Sequence, residues 1–164
     1  MGTLMDLVAG ESQEILLAIS VEDVAGLDDR GRFDAHLALG AGLDPTWLDY
    51  FSQATREIVS WEGPMDFIDA RRELNGDGAA DIGDRTVERV DPDWVSAIAR
   101  VEDRDIDAIA GRWIDLIGEE LGEIMREEKP WIRSLAGEIV RFCRAADLSP
   151  AVLFAWSTTR SVRR

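Results

Sequence analysis

The residues able to do chemistry in this sequence are few: one histidine, one cysteine and an excess of carboxylates. His36 lies in Phe33-Asp34-Ala35-His36-Leu37-Ala38-Leu39-Gly40. A helical reading of Arg32–Leu39 sets it beside Phe33 and Leu37, at the edge of an apolar stripe. Acid–base work would require a proton partner within hydrogen-bond range, and metal binding at least two more ligands. Asp34 cannot serve from the same helix, because residues two apart point away from each other. The expectation is a boundary histidine satisfied by a backbone carbonyl. Cys143 falls on an apolar helix face next to Phe142, where Arg141 and Arg144 point elsewhere. A reactive thiolate wants an exposed, electropositive setting, so a buried and inert thiol is expected.

Glu120 is the most informative carboxylate. At 100° per residue on an amphipathic helix over Asp105–Met125, it projects between Ile109 and Trp113, inside the apolar stripe. A carboxylate there must be paired, shifted in pKa or placed at a cavity. An arginine from another helix is the simple expectation; a pocket acid is the functional one, and a helix turned to put Glu120 at the surface is the third. Glu138, at the rim of the next helix beside Trp131 and Phe142, could face the same place. Calcium is a further candidate. With Gly78 at the sixth position of a twelve-residue loop, Glu73, Asn75, Asp77, Asp81 and Asp84 take liganding positions. Glu73 replaces the usual Asp, Ala80 replaces a strand-forming aliphatic, and Asp84 is shorter than a bidentate Glu. The stretch reads better as a solvated acidic loop. Phosphate-binding glycine loops, G-x-S-x-G and H-E-x-x-H are all absent. No catalytic residue is assigned, and no cofactor or metal is expected.

These residues need elements to position them. Thr3–Ala9 suits a first strand, and Ser12 could cap a short helix carrying Ile15, Leu16 and Ile19. Asp28-Asp29-Arg30-Gly31 breaks that helix. Asp44-Pro45-Thr46-Trp47 and Asp91-Pro92-Asp93-Trp94 each place a capping Asp before Pro at the first helical position. Trp47, Phe51, Ala54 and Ile58 then share one face, as do Trp94, Ile98 and Val101. Leu74–Asp84 reads as a flexible loop and Arg85–Val90 as a short strand. Pro130 can open a helix whose apolar face is Trp131, Ile132, Leu135, Ile139, Phe142 and Cys143. Ala151–Trp156 reads as a final buried strand that pairs with the first. The expected fold is a mainly helical α+β single domain over residues 1–157, its small sheet joining the N- and C-terminal strands. Residues 158–164, with Arg160, Arg163 and Arg164, read as a basic, disordered tail.

In order of elements, the chain resembles the YfbM-like family of small bacterial proteins. The likeness rests on the N-terminal strand and Phe33–Gly40, then Val90-Asp91-Pro92-Asp93-Trp94-Val95, and finally Phe142-Cys143-Arg144-Ala145-Ala146 before Val152-Leu153-Phe154. Ala35 stands where that family's histidine-bearing helix carries an aromatic. The resemblance implies the fold only, and no functional residue carries over.

Length and charge narrow the class. The chain has 164 residues with 33 acids against 18 bases, a net charge of −15. One domain of that size buries an adequate core, and one cysteine excludes an internal disulfide framework. A surface this negative repels phosphate backbones, so nucleic acid and anionic lipid are not expected partners. No apolar run is long enough to span a membrane, and the first residues lack the pattern of a signal peptide. A soluble, cytoplasmic bacterial protein is expected. Four tryptophans, Trp47, Trp94, Trp113 and Trp131, read as core, whereas Trp61 in Ser60-Trp61-Glu62-Gly63-Pro64 reads as an exposed interface anchor. The expectation is a non-catalytic acidic domain that binds a basic protein partner. The alternative is a small-molecule-binding or enzymatic domain with its pocket carboxylate at Glu120.

Overall fold

The structure, a computed structural model, describes residues 3–21, 25–40, 46–64, 80–82, 85–121 and 129–158. In chain order these form β1 (Thr3–Gly10), α1 (Ser12–Ser20), a 3-10 turn (Ala25–Asp28), β2 (Ala35–Gly40) and α2 (Thr46–Ile58). There follow β3 (Ala80–Ile82), β4 (Arg85–Arg89), α3 (Pro92–Ala99), α4 (Asp103–Leu121), α5 (Lys129–Ala146) and β5 (Ala151–Thr158). The strands make an antiparallel sheet in the order β2-β1-β5-β4-β3. The first and last strands are neighbours, in register from Thr3 opposite Thr158 to Gly10 opposite Ala151. The fold is the mainly helical α+β domain that the sequence implies.

Strand alternation gives the sheet two apolar faces. Met5, Leu7 and Ala9 share one face with Ala35, Leu39, Val152 and Phe154, and the larger core there takes in residues of α2, α3, α4 and α5. Val8, Val87, Leu153 and Ala155 lie on the other face, under Ile15, Ala18 and Ile19 of α1, Leu27 of the 3-10 turn, and Phe33. Close packing reaches the connections too. Gly10 has φ of 156°, and a Cβ there would stand 3.3 Å from Phe33 Cδ1.

Polar bonds seat the helices. Asp91 caps α3 by accepting from the Asp93 backbone N–H at 2.9 Å, with Pro92 at the first helical position. The buried Trp94 indole donates to Ser52 Oγ at 2.6 Å, and Ser52 Oγ donates to the Leu48 carbonyl at 3.1 Å. Trp113 Nε1 donates to the Trp47 carbonyl at 2.8 Å, while its ring meets Phe51 edge-on at 4.9 Å between centroids. Arg112 on α4 donates from Nε to Glu57 Oε1 on α2 at 2.7 Å. That hydrogen bond holds the Glu57 carboxyl below its ordinary pKa.

Several expectations require correction. Arg32–Leu39 is not a helix, because residues 35–40 form β2 and pair with β1. A run of Ala, His and Leu closed by Gly40 fits both periods, and the unpaired edge of β1 decides between them. Ser12 does not cap α1: Glu11 holds the cap position without a side-chain bond, and Ser12 Oγ accepts from Arg89 Nη2 at 3.2 Å. Trp131 sits in the first turn of α5 and is 40% exposed instead of core, and Ile58 at the end of α2 is exposed too. Within the expected loop, residues 80–82 pair with β4. Thr158, expected to begin the tail, ends β5. The Asp44-Pro45 cap, the rest of that loop apart from residues 80–82, residues 122–125 of the expected helix, and residues 159–164 lie outside the described residues.

Ser52→Ala should remove the Oγ acceptor of the buried Trp94 N–H and cost about 1–3 kcal/mol in urea unfolding. An unchanged urea midpoint would show that this bond contributes nothing.

Candidate functional site

The strand assignment changes what His36 can do. On β2 it lies opposite Val8 of β1, on the α1 side of the sheet, diagonal to Asp6. Its Nε2 is 2.8 Å from Asp6 Oδ1, and its Nδ1 is 2.7 Å from Asp28 Oδ1 at the end of the 3-10 turn. The expected backbone carbonyl is replaced by two carboxylates. The His36 side chain is 5% exposed and that of Asp6 11%, whereas that of Asp28 is 70% exposed.

Hydrogen-bond chemistry sets the protonation. A neutral imidazole has one N–H, so it donates to one carboxylate and turns a lone pair toward the other. Both short contacts are satisfied together when the ring is an imidazolium donating from each nitrogen. Burial acts to lower the His36 pKa, but the hydrogen bonds and charges of Asp6 and Asp28 outweigh it, and the net shift is upward. Both nitrogens are occupied within the chain. In this arrangement the ring offers no lone pair to a metal and no free nitrogen to a substrate.

One available signal would have found this pairing. Asp6 interrupts the apolar strand Leu4-Met5-Asp6-Leu7-Val8, and a carboxylate at such a position must find a partner. The reasoning applied to Glu120 holds for Asp6. Glu120 itself is exposed on α4, and Glu138 is exposed on α5. Glu120 thus takes the third of its expected placements, at the surface: periodicity sets its angle on α4, but beyond Leu116 and Ile117 none of the described residues covers it. Cys143 is fully buried and free, and burial drives its thiol pKa up, as an inert thiol requires. Of the calcium candidates, Glu73, Asn75, Asp77 and Asp84 lie outside the described residues, and Asp81 is in β3. Among the described residues no three His, Cys, Asp or Glu side chains gather as a metal needs.

Trp61 is half-buried, packed on the larger core where an exposed anchor was expected. A Cβ on Gly63 would come within 2.9 Å of Trp61 Cζ2 and 2.7 Å of the Ala97 Cβ. Glycine thus lets this segment close on α3 and wedge the indole. The Trp61 Nε1 is buried with no hydrogen-bond partner among the described residues. Beside it lies an open cleft of about 490 Å³, formed by residues 58–62 together with Ala97 and residues 100–102, 104 and 105. Its charged rim is Glu62, Glu102 and Asp105 with Arg100 and Arg104, and Arg104 Nε is tied to Glu102 at 2.7 Å.

Comparison with protein-family models, with curated proteins and with solved structures finds no match for this chain. The segment Phe33–Gly40, expected as a histidine-bearing helix, is a strand over residues 35–40.

Two outcomes follow. Glu120→Leu should change stability by no more than about 0.5 kcal/mol, as an exposed position does, and a loss of several times that would restore a buried role. His36→Gln should destabilise the fold, with a pH-dependent gap from wild type. The folded pKa is raised, so the contribution of His36 is complete below its unfolded value and disappears as pH rises through the folded one. Urea unfolding across that range should show the gap narrowing, and a constant gap would contradict the imidazolium.

Proposed function

We propose that the chain is a non-catalytic interaction domain that engages a basic protein partner in the cytoplasm, with Trp61 and its cleft as the anchoring point. The observation that carries this reading is the unbalanced charge of −15. Several arginines are paired with acids within the fold: Arg32 with Glu14, Arg104 with Glu102, Arg112 with Glu57 and Glu119, Arg133 with Asp107, and Arg144 with Asp103. The remaining carboxylates dominate the field that an approaching molecule meets. Such a field speeds encounter with a cationic surface and repels nucleic acid. The residue with the strongest nucleophilic chemistry, Cys143, is sealed in the core, and the sole histidine is occupied by two carboxylates. Among the described residues no helix is long and apolar enough to cross a membrane.

Trp61 supplies the area that charge alone lacks, since half-buried tryptophans ringed by polar groups recur as energetic centres of interfaces. Glu62 and Asp105 on the cleft rim would then meet cationic side chains of the partner.

The test is affinity capture of the tagged chain from its host's lysate at low salt, followed by release at high salt. A single basic protein at fixed stoichiometry, released by salt, is the expected result. Binding of that purified protein should weaken by about 2 kcal/mol, roughly 30-fold in Kd, for Trp61→Ala. Glu62→Gln with Asp105→Asn should act mainly on the association rate. Retention of no basic protein, or retention indifferent to salt, would overturn the reading.

A further inference from the structure

We propose that His36 is a proton-operated latch: bridging Asp6 and Asp28 as an imidazolium, it holds the 3-10 turn on the sheet, and loss of its proton releases Asp28 while Asp6 stays. The inference is independent of any partner.

The asymmetry of the two carboxylates carries it. Asp6 is on an interior strand, its side chain 11% exposed and its backbone held by the pairing of β1 with β2 and β5. Asp28 ends a four-residue turn, its side chain is 70% exposed, and water can take over its carboxylate once it moves away. A neutral ring keeps one N–H, and the less solvated Asp6 needs it more. Nδ1 is then a lone pair 2.7 Å from a carboxylate oxygen, a contact that has become repulsive. Asp6 from β1 and Asp28 from the turn are the charged groups that act on the ring.

The latch has something to move. Leu27, next to Asp28, is buried in the smaller core with Val8, Leu153 and Phe33, and that core is capped by α1 and this turn. Backbone bonds from the Asp29 N–H to the Gly26 carbonyl at 3.0 Å and from the Phe33 N–H to the Asp29 carbonyl at 3.0 Å carry the chain from the turn into β2. Release of Asp28 removes the turn's ion pair to the sheet, and opening of the turn would uncover apolar surface around Leu27 on the smaller face. Proton binding and closure are reciprocal: whatever stabilises the closed turn also raises proton affinity at His36.

Amide hydrogen exchange at Asp29, Arg32 and Phe33, read alongside the imidazole titration by NMR, tests the latch. Corrected for the intrinsic pH dependence of exchange, protection of these amides should fall by about tenfold or more as His36 deprotonates. Protection in β5 should not change. Asp28→Asn gives the sharper result. The side-chain amide it introduces can donate to the neutral Nδ1 while Nε2–H still serves Asp6, so protection should persist through the titration. His36→Gln should lower protection at all pH values. The proposal is overturned if wild-type protection is level through the titration, or if Asp28→Asn opens with the same pH dependence as wild type.

Discussion

The antiparallel pairing of β1 with β5 is the constraint on which the remaining architecture rests. It brings the two ends of the described chain together along eight residue pairs at the middle of the sheet. Loop-closure cost grows only slowly with length, so closing nearly the whole chain costs little more than closing half of it. Once the pair exists, each strand offers its other edge: β2 adds to β1, and β4 with β3 adds to β5. Both apolar faces are created in the same step, because Leu7 opposite Phe154 and Val8 opposite Leu153 point in opposite directions.

Those faces are unequal, and the inequality organises the chemistry. The larger face is closed by α2 to α5, with the indoles of Trp94 and Trp113 bonded to Ser52 and to the Trp47 carbonyl. The smaller face carries α1 and a short turn, so its margin holds polar groups. Asp6 and His36 occupy that margin because strand alternation puts them on the side of Val8 while Met5 and Leu7 enter the larger core. A carboxylate placed there requires a polar partner, and the His36 ring supplies it. The second carboxylate, Asp28, ties the covering turn to the same ring.

Electrostatics divides along similar lines. Ion pairs such as Arg112 with Glu57 link α2 to α4, and Arg144 with Asp103 links α5 to α4. Exposed pairs of this kind contribute little to stability. Each such pair cancels one acid with one base, so the net charge of −15 is left to the unpaired surplus of carboxylates.

The amino-acid sequence determined, by itself, the features governed by local rules. Asp91-Pro92 marked a helix start, the spacing of Ile109, Trp113 and Ile117 marked the buried stripe of α4, and the apolar run Ala151–Trp156 marked the last strand. Total charge needed no fold at all. The tertiary structure alone decided whichever feature depends on a distant neighbour. Residues 35–40 became a strand because β1 had an edge to fill, Glu120 stayed exposed because none of the described residues packs over it, and His36 met Asp6 from thirty positions away. The physical reason is common to all three. Periodicity sets the direction a side chain takes from its own element, whereas burial and pairing depend on what the rest of the chain puts opposite.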